Sequence, residues 1–578
     1  MSRKDTSPQE TICQIERILH ENGLAYKITS ELNNCDFFYS VRVEIYDRGS
    51  IIGSNGKGMT RELALASGLA ELMERLQSRN GMKFWYSTKD YPEKAFAHEY
   101  QSDEELVDPI KNDFAEYRDS KMIHYRIDYT DAKSNENISV PNRLLNLLCG
   151  SNGLCAGNSK TEALVQGTSE IFERYVRKLI SKEHIRCPYI QKEEMRQYAF
   201  FDKMQCFEER GFVWELLDCS CNDQYPVAGL LLLDKKRLRY AIVLGADVDF
   251  EIAVERCITE LLQGRKLEQL SKYMKLIDFE GIGDKTIDWS VEAQSDYYEF
   301  IDNYIANCGK NPIYLLMETE QVKVPSIFGH FENNNDAYQY MLSIVEKNQL
   351  SLYYADFSYL GFPTYRVYLP QLSQVFEMEK ESFVFIDNMK ENLNLMMKIS
   401  NLAESKKRQL VTNLVDLSRT YTYRRNTFYS ILFRFCGEKD FDFNYLYLDF
   451  VIALLYLSLC EYKKAEMHYT RFITEHRIFK NQAANELLKV IYTYVKGLAL
   501  GQQLDEIKKK GNLLFNQHTN QYVYEFIKYD KCLKIVYWPS CPDCANCSYK
   551  KECAYEEWQR INQVLREKQR MYYKRRKA

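Results

Sequence analysis

Apolar residues recur at three- and four-residue steps in several stretches of the chain, and those stretches are the predicted helices. Ser7-Pro8-Gln9-Glu10 has the residue types of a helix start. Behind it Ile12, Ile15, Ile18 and Leu19 form one apolar face, and Asn22-Gly23 ends the run. From Phe37 to Tyr46 the period changes. β-Branched and aromatic residues alternate in part with polar ones, which predicts a strand, turned by Asp47-Arg48-Gly49 and resumed at Ile51-Ile52. A glycine-rich loop, Gly53-Ser-Asn-Gly56-Lys57-Gly58, then leads into a helical run closing in Ser67-x-x-x-Glu71-x-x-Glu74-Arg75. From about residue 400 the helical period dominates, and Leu410 to Thr422 and Tyr445 to Ile473 are predicted helical.

The stretch from Gly53 to Arg75 returns once. Gly150-Ser-Asn-Gly153 leads into Ala156-Gly157-Asn158 and a second helical run closing in Glu170-x-x-Glu173-Arg174. A constant offset of 99 residues places Gly58, Ala64, Leu65, Gly68, Glu71, Glu74 and Arg75 over Gly157, Ala163, Leu164, Gly167, Glu170, Glu173 and Arg174. A third, altered copy puts Glu260 and Gln263 at the places of Glu71 and Glu74, with Arg265 just beyond.

Composition narrows the classes. With 578 residues, 45% of them hydrophobic, the chain can bury a large core and is expected to make two or three domains. A formal net charge of -4 gives no global reason for a nucleic-acid or membrane partner. The start lacks the apolar core of a signal peptide, and no stretch approaches the roughly 20 apolar residues that span a bilayer. A cytoplasmic location is expected, where seventeen cysteines are not a disulfide framework.

Glycine before a helix allows backbone N–H groups and the helix N-terminus to meet phosphate, and Lys57 adds a cation there. The stretch Gly53 to Gly58 does not have the spacing of a Walker A or a dinucleotide-binding sequence. On the following helix Glu71, Glu74 and Arg75 share one face. A single copy reads first as a solvated acidic stripe with an internal ion pair. Two copies offer carboxylates on two helices that can converge on Mg²⁺, which protein sites hold through one or two carboxylates plus water and phosphate oxygens. The third copy, with an amide and an arginine, suits a nucleotide better than a metal. The eight histidines form no catalytic pattern, and Cys155 beside the second glycine stretch reads as a small buried thiol.

Together these stretches resemble the three signatures of the YcaO family, over roughly residues 1 to 400. Tyr365-Arg366-Val-Tyr-Leu-Pro370 resembles the strand near that domain's close, with Gln371 where the family usually has Gly. The resemblance implies an α+β, mixed α/β YcaO fold and an ATP- and Mg²⁺-dependent enzyme acting on a backbone amide of a peptide or protein. The amide oxygen, after nucleophilic attack at the carbonyl carbon, would be phosphorylated by ATP and leave. An azoline follows when the nucleophile is a neighbouring Cys, Ser or Thr, and a thioamide when it is sulfide. By the same resemblance Glu71, Glu74, Glu170 and Glu173 would hold Mg²⁺. Lys57, Ser67, Arg75, Asn158, Glu162, Gln166, Arg174 and Arg265 would contact ATP.

Residues 1–400 are therefore expected to form the ATP-binding domain and 401–530 an all-α domain. In the latter, Ala453-x-x-Tyr456-Leu457-x-x-Cys460-Glu-Tyr462-Lys-Lys-Ala465-x-x-x-Tyr469 resembles one tetratricopeptide unit, a plain helical bundle being the equally simple account. Family members outside peptide natural-product clusters carry a similar helical region. They are associated, as accessory factors, with β-methylthiolation of an aspartate in a ribosomal small-subunit protein. That implies such a ribosomal protein or another peptide as client, a sulfur-donor or methylthiotransferase partner, and leaves a homodimer open. A nucleotide-binding scaffold that recruits such a partner is the alternative. Azoline-forming members end in a proline-rich tail, whereas the last proline here is Pro542, so azoline formation is disfavoured.

Residues 531–578 form a third expected segment. Cys541, Cys544, Cys547 and Cys553 have spacings that can wrap an iron–sulfur cluster or Zn²⁺. Trp558 to Lys577 reads as a basic helix with a solvated end, able to meet rRNA phosphates if the client is ribosomal.

Overall fold

The computed structural model describes residues 3–35, 37–46, 50–79, 98–183, 185–277, 318–375, 387–419, 447–475, 482–535, 545 and 555–577. The chain divides into two compact units. The first comprises residues 1–82, 96–377 and 557–578, and the second 83–95 and 378–556.

In the first unit, α1 (Pro8–Glu21) starts as its sequence dictates: Ser7 and Glu10 form a reciprocal capping box, Pro8 occupies the first turn and Asn22 is the C-cap. Three antiparallel strands follow, β1 (Lys27–Asn34), β2 (Phe38–Tyr46) and β3 (Ser50–Gly58), in the order β1-β2-β3. The glycine stretch Gly53 to Gly58 is therefore not a loop, as the sequence reading had it, but the second half of β3. Each of its residues has a partner on β2, for instance Gly56 with Val41 and Lys57 with Ser40. The physical reason lies behind it in α2 (Arg61–Ser78). A Cβ on Gly56 would lie 2.7 Å from the Gly68 Cα and nearer still to the Ala64 carbonyl oxygen, so glycine permits strand and helix to touch backbone to backbone.

Beyond α2 come β4 (Tyr100–Gln101), β5 (Tyr125–Asp131), β6 (Asn137–Val140), α3 (Asn142–Cys149), β7 (Leu154–Ala156) and α4 (Lys160–Glu183). Next are β8 (Tyr189–Ile190), α5 (Phe200–Glu208), β9 (Phe212–Asp218), β10 (Val227–Asp234), β11 (Arg239–Ala246), α6 (Phe250–Leu262) and β12 (Lys275–Leu276). β13 (Gln321–Val322), α7 (Asn334–Lys347), β14 (Tyr353–Asp356) and β15 (Thr364–Tyr368) complete this part. One six-stranded sheet runs β12-β11-β10-β9-β8-β13, and another β4-β5-β14-β15-β7 with β6 on β5. Both faces of β10 are covered, which is why it reads Val-Ala-Gly-Leu-Leu-Leu-Leu rather than alternating. Leu230 and Leu232 pack with Phe200, Val254 and Ile258, while Leu231 packs with Leu164, Phe172 and Met341.

The second unit contains α8 (Met389–Met397), α9 (Glu404–Ser418), α10 (Leu448–Ser458), α11 (Tyr462–Glu475), α12 (Gln482–Ala499), α13 (Leu504–Leu514) and α14 (Gln517–Lys528). The run Tyr445 to Ile473 is thus two helices, broken where Cys460 takes a left-handed φ of 57°. Ala453, Ala465 and Tyr469 are fully buried, and Tyr469 donates to the Leu488 carbonyl at 2.7 Å. An α+β first unit with an all-α second unit is the expected fold class.

The last helix, α15 (Tyr555–Lys577), belongs from Glu557 onward to the first unit. It is not solvated all round: Trp558, Ile561, Leu565 and Gln569 are buried. Lys568, Arg570, Lys574 and Arg575 are exposed.

Candidate functional site

The two duplicated stretches fold into the same local unit, a strand end running into a helix. β3 leads to α2 and β7 to α4, with N-caps Thr60 and Ser159, 99 residues apart, each accepting from the N–H three residues on. A Cβ on Gly58 would lie 2.8 Å from the Ala64 nitrogen, and one on Gly157 would lie 3.0 Å from the Ala163 nitrogen. Where Gly56 touches Gly68 in the first copy, Cys155 touches Gly167 in the second. Cys155 is accordingly a packing residue: it is fully buried, and burial, with Glu74 and Glu170 nearby, pushes its thiol well up. The third copy repeats the unit at an offset of 189: a Cβ on Gly245 at the end of β11 would meet the Ala253 carbonyl oxygen and, at 2.9 Å, the Cys257 nitrogen of α6. Asp249 is its N-cap.

The second glycine stretch is mostly structural. Gly150 caps α3, and Gly153, at φ 80°, accepts from the Val367 N–H at 2.7 Å. Arg366, only 1% exposed, donates to the Gly150 carbonyl at 3.0 Å. Gln371 adopts φ 71° in the turn after β15, where its N–H donates to Asp113 at 2.8 Å. That carboxylate stabilises a left-handed turn otherwise suited to glycine.

The three helices line one cavity of about 640 Å³. Lys57, Ser67, Glu71, Glu74, Arg75, Asn158, Glu162, Gln166, Glu170, Glu173, Arg174 and Arg265 all line it, so the structure brings together every candidate from the two duplicated stretches and the third helix. Cys541, Cys544, Cys547 and Cys553 lie outside the described residues.

Within the cavity, carboxylates are held by cations of their own helix. Arg75 pairs with Glu71 and donates to the Gly53 carbonyl, Arg174 pairs with Glu170 at 2.6 Å and Arg177 with Glu173 at 2.9 Å. Lys57 reaches across from β3 to Glu260 on α6, and the Gln263 amide donates to the Asn55 carbonyl of β3 at 3.0 Å. Arg265 donates to the Leu261 carbonyl at 3.1 Å, closing its own helix. Glu162 is held from three sides, by Asn158, by Lys4 at 3.0 Å and by the Asp5 N–H at 3.1 Å. Arg3 and Arg256 share Asp247, at 2.9 and 3.2 Å.

The carboxylates of the two acidic helices disturb one another. Desolvation, then Glu71 and Glu170, push the Glu74 carboxyl well above its ordinary value. Glu170 is raised by desolvation, with Glu173 and Glu71 adding and Arg174 opposing. Desolvation lowers the Lys57 ammonium, against the pull of Glu173, Glu71 and Glu170. A divalent cation with oxygen ligands would relieve this crowding of carboxylates, so the donor set fits Mg²⁺. Among the described residues no three His, Cys, Asp or Glu side chains already stand as a closed metal site. Leu63, Ile252, Pro8 and Phe362 give the cavity an apolar part.

Several lining residues escaped the sequence reading. Arg177 stands one turn after Glu173 and Arg256 one turn before Glu260, a helical spacing that could have found both. Arg3 and Lys4 come from outside the repeated stretches, and Asp247 stands where the first copy has Gly58, so none of the three carried such a signal.

Residues 55–373 match the family described as YcaO cyclodehydratase, ATP- and Mg²⁺-binding. The chain is 27% identical over 419 residues to the ribosomal protein S12 methylthiotransferase accessory factor YcaO of Escherichia coli, covering 65% of this chain and 66% of that protein. It is 26% identical over 399 residues to an uncharacterised protein of Haemophilus influenzae, covering 64% and 66%. The chain thus spans slightly under two thirds of the length of either relative. A solved structure, YcaO from Methanopyrus kandleri bound with AMPPCP and Mg²⁺, aligns with a TM-score of 0.43 at 17% identity, covering 65% of this chain and 96% of that one.

Proposed function

The chain belongs to the YcaO family, and from that premise we propose that it binds ATP with Mg²⁺ in this cavity and activates a backbone amide of a peptide or protein. The observation that carries the reading is the convergence of Glu71, Glu74, Glu170 and Glu173 from two copies of one strand–helix unit on a single cavity that is also lined by six arginines and two lysines. Glu71, Glu74, Glu170 and Glu173 would hold Mg²⁺. Lys57, Ser67, Arg75, Asn158, Glu162, Gln166, Arg174 and Arg265 would meet the nucleotide, Arg256 and Arg177 reinforcing the cationic side. Bound there, ATP would supply the phosphoryl group and Mg²⁺ would spread its charge. The arginines fix the carboxylates in place before binding, and Leu63, Ile252 and Phe362 exclude water from part of the cavity.

The client proposed first is a ribosomal small-subunit protein, the chain serving as accessory factor to its methylthiolation or forming a thioamide. This follows the name of the Escherichia coli relative. That same name, an accessory factor, favours the second reading, a scaffold that binds ATP without turnover and recruits the sulfur-transfer or methylthiotransferase partner. Steady phosphate release with wild-type protein, Mg²⁺ and a candidate peptide, lost in Glu71→Ala and Glu170→Ala, supports the enzyme. ATP binding that those variants weaken by at least about ten-fold, with no turnover on any candidate, supports the scaffold. No binding at all sinks both. The C-terminal cysteines are proposed as a zinc or iron–sulfur centre, which metal and acid-labile sulfide analysis of the purified chain distinguishes.

A further inference from the structure

Asp356, the last residue of β14, receives the end of the C-terminal helix. The Tyr572 hydroxyl donates to its carboxylate at 3.0 Å, the Tyr573 hydroxyl to its backbone carbonyl at 2.6 Å, and Arg576 pairs with the same carboxylate. The Tyr573 ring stacks on His98 at 3.8 Å. Asp356 also begins the loop Phe357–Pro363, accepting from the Ser358 N–H at 2.8 Å. The loop is bonded to other elements as well as to itself. Gln77 of α2, fully buried, accepts from the Leu360 N–H at 2.7 Å and donates to the Phe362 carbonyl at 2.8 Å. Tyr359 donates to the Leu76 carbonyl at 3.0 Å, and the Pro363 carbonyl accepts from the Gly157 N–H at 3.1 Å. The loop is thus bonded to α2 just after Glu74 and Arg75, and to the backbone just before Asn158, and Phe362 itself lines the cavity.

We propose that the last two turns of α15 are a latch that sets the cavity wall through Asp356, making Asp356, Tyr572, Tyr573 and Arg576 positioning residues for both copies of the strand–helix unit. The helix is built for this division. Trp558, Ile561, Leu565 and Gln569 anchor it by burial, whereas its final turns hold on through two hydroxyls, one ring stack and a partly exposed ion pair. Polar contacts of that kind are individually weak and open without unfolding the anchor. Once they open, the start of the loop keeps only its place in the β14–β15 ladder, where Asp356 pairs with Tyr365 and the Phe357 N–H donates to the Thr364 carbonyl, and Gln77 and Gly157 then hold a looser partner.

The affinity arm of the test rests on the reading of the cavity as a nucleotide site, and the exchange arm does not. A chain ending after Gln569, with Arg576→Lys and Tyr573→Phe in the full-length chain as milder variants, is compared with wild type. Hydrogen exchange is expected to quicken several-fold in residues 357–363 and in the last two turns of α2, with α12 to α14 unchanged. Affinity for a non-hydrolysable ATP analogue is expected to fall about ten-fold in the truncated chain and Tyr573→Phe, equivalent to ~1.4 kcal/mol, and to be largely retained in Arg576→Lys. Unchanged exchange in residues 357–363 overturns the latch, and faster exchange with unchanged affinity overturns its coupling to the site. If wild type binds no nucleotide, the proposed function fails while exchange still decides the latch.

Discussion

Gly56→Ala separates two accounts of the glycine-rich stretch. If its glycines serve phosphate, the substitution should weaken nucleotide binding and leave stability alone. The structure says otherwise, because the new Cβ would stand 2.7 Å from the Gly68 Cα and closer to the Ala64 carbonyl oxygen, both backbone atoms of α2. Ordinary contact needs roughly 3.4 Å or more, so α2 must retreat from β3 by well over half an ångström. Overpacking of this kind costs ~1–3 kcal/mol, and a clash against helix backbone, which no rotamer relieves, belongs at the upper end. With ~2 cal/mol/K of unfolding entropy per residue, over a unit of about 390 residues, 3 kcal/mol lowers the melting temperature by about 4 °C. Because α2 carries Glu71 and Glu74, the same shift should weaken Mg²⁺–nucleotide binding as well. Calorimetric melting beside nucleotide titration reads both quantities. A variant that melts with wild type, yet loses nucleotide affinity, would refute the packing argument and restore the phosphate one.

Three further outcomes follow from the site. Glu74 has a folded-state pKa raised above its unfolded value, so its contribution to stability is full below about 4.5 and is lost as pH rises through the folded value. Glu74→Gln should therefore melt higher than wild type at pH 8, converge with it near pH 4.5, and lose Mg²⁺-dependent nucleotide binding. A lower melting temperature at pH 8 would contradict the crowding of carboxylates. Gln371→Gly should raise stability by up to about 1 kcal/mol, relieving the left-handed φ of 71° while keeping the bond from its N–H to Asp113; chemical denaturation reads it. Cys155→Ala should leave nucleotide affinity intact at a cost of about 1 kcal/mol from the small void beside Gly167, whereas a sulfur-carrying role predicts loss of activity with unchanged melting.

What the sequence discloses depends on whether the signal is local. The start of α1 was legible because Ser7, Pro8 and Glu10 act within one turn. The convergence of Glu71 with Glu170 was legible because duplication implies two equivalent units. β1 escaped notice, since Lys27 to Asn34 is an edge strand largely exposed on both faces and so lacks the apolar alternation that marks strands. The error over Gly53 to Gly58 has a related cause. Glycine signals close backbone approach, and sequence does not say whether a phosphate or another stretch of backbone approaches. Asp247 and Arg3 were invisible because their partnership spans 244 residues without any repeat to announce it.

The three strand–helix units also explain why the cavity is asymmetric. The offsets of 99 and 189 residues carry the N-cap from Thr60 to Ser159 to Asp249, and the close crossing from Gly56 to Cys155 to Gly245. Backbone geometry is therefore kept three times over, while the side chains one and two turns along diverge. The first two helices present Glu71 with Glu74 and Glu170 with Glu173. The third presents Glu260, already bound by Lys57, and Gln263, whose amide is bonded to Asn55 of the first unit. Replacing a carboxylate by that amide removes one negative charge from a wall where Glu74 is already hard to ionise, and uses the position to tie α6 to β3 instead. On the proposed reading, the four carboxylates on two helices, three of them paired with Arg75, Arg174 and Arg177, would meet the metal of a metal-bound polyphosphate, while the amide and guanidinium of the third copy would meet its phosphates. A three-fold symmetric acidic wall would bind metal without orienting the phosphate chain, and on the proposed reading the departure of the third copy would give a bound phosphate chain its direction.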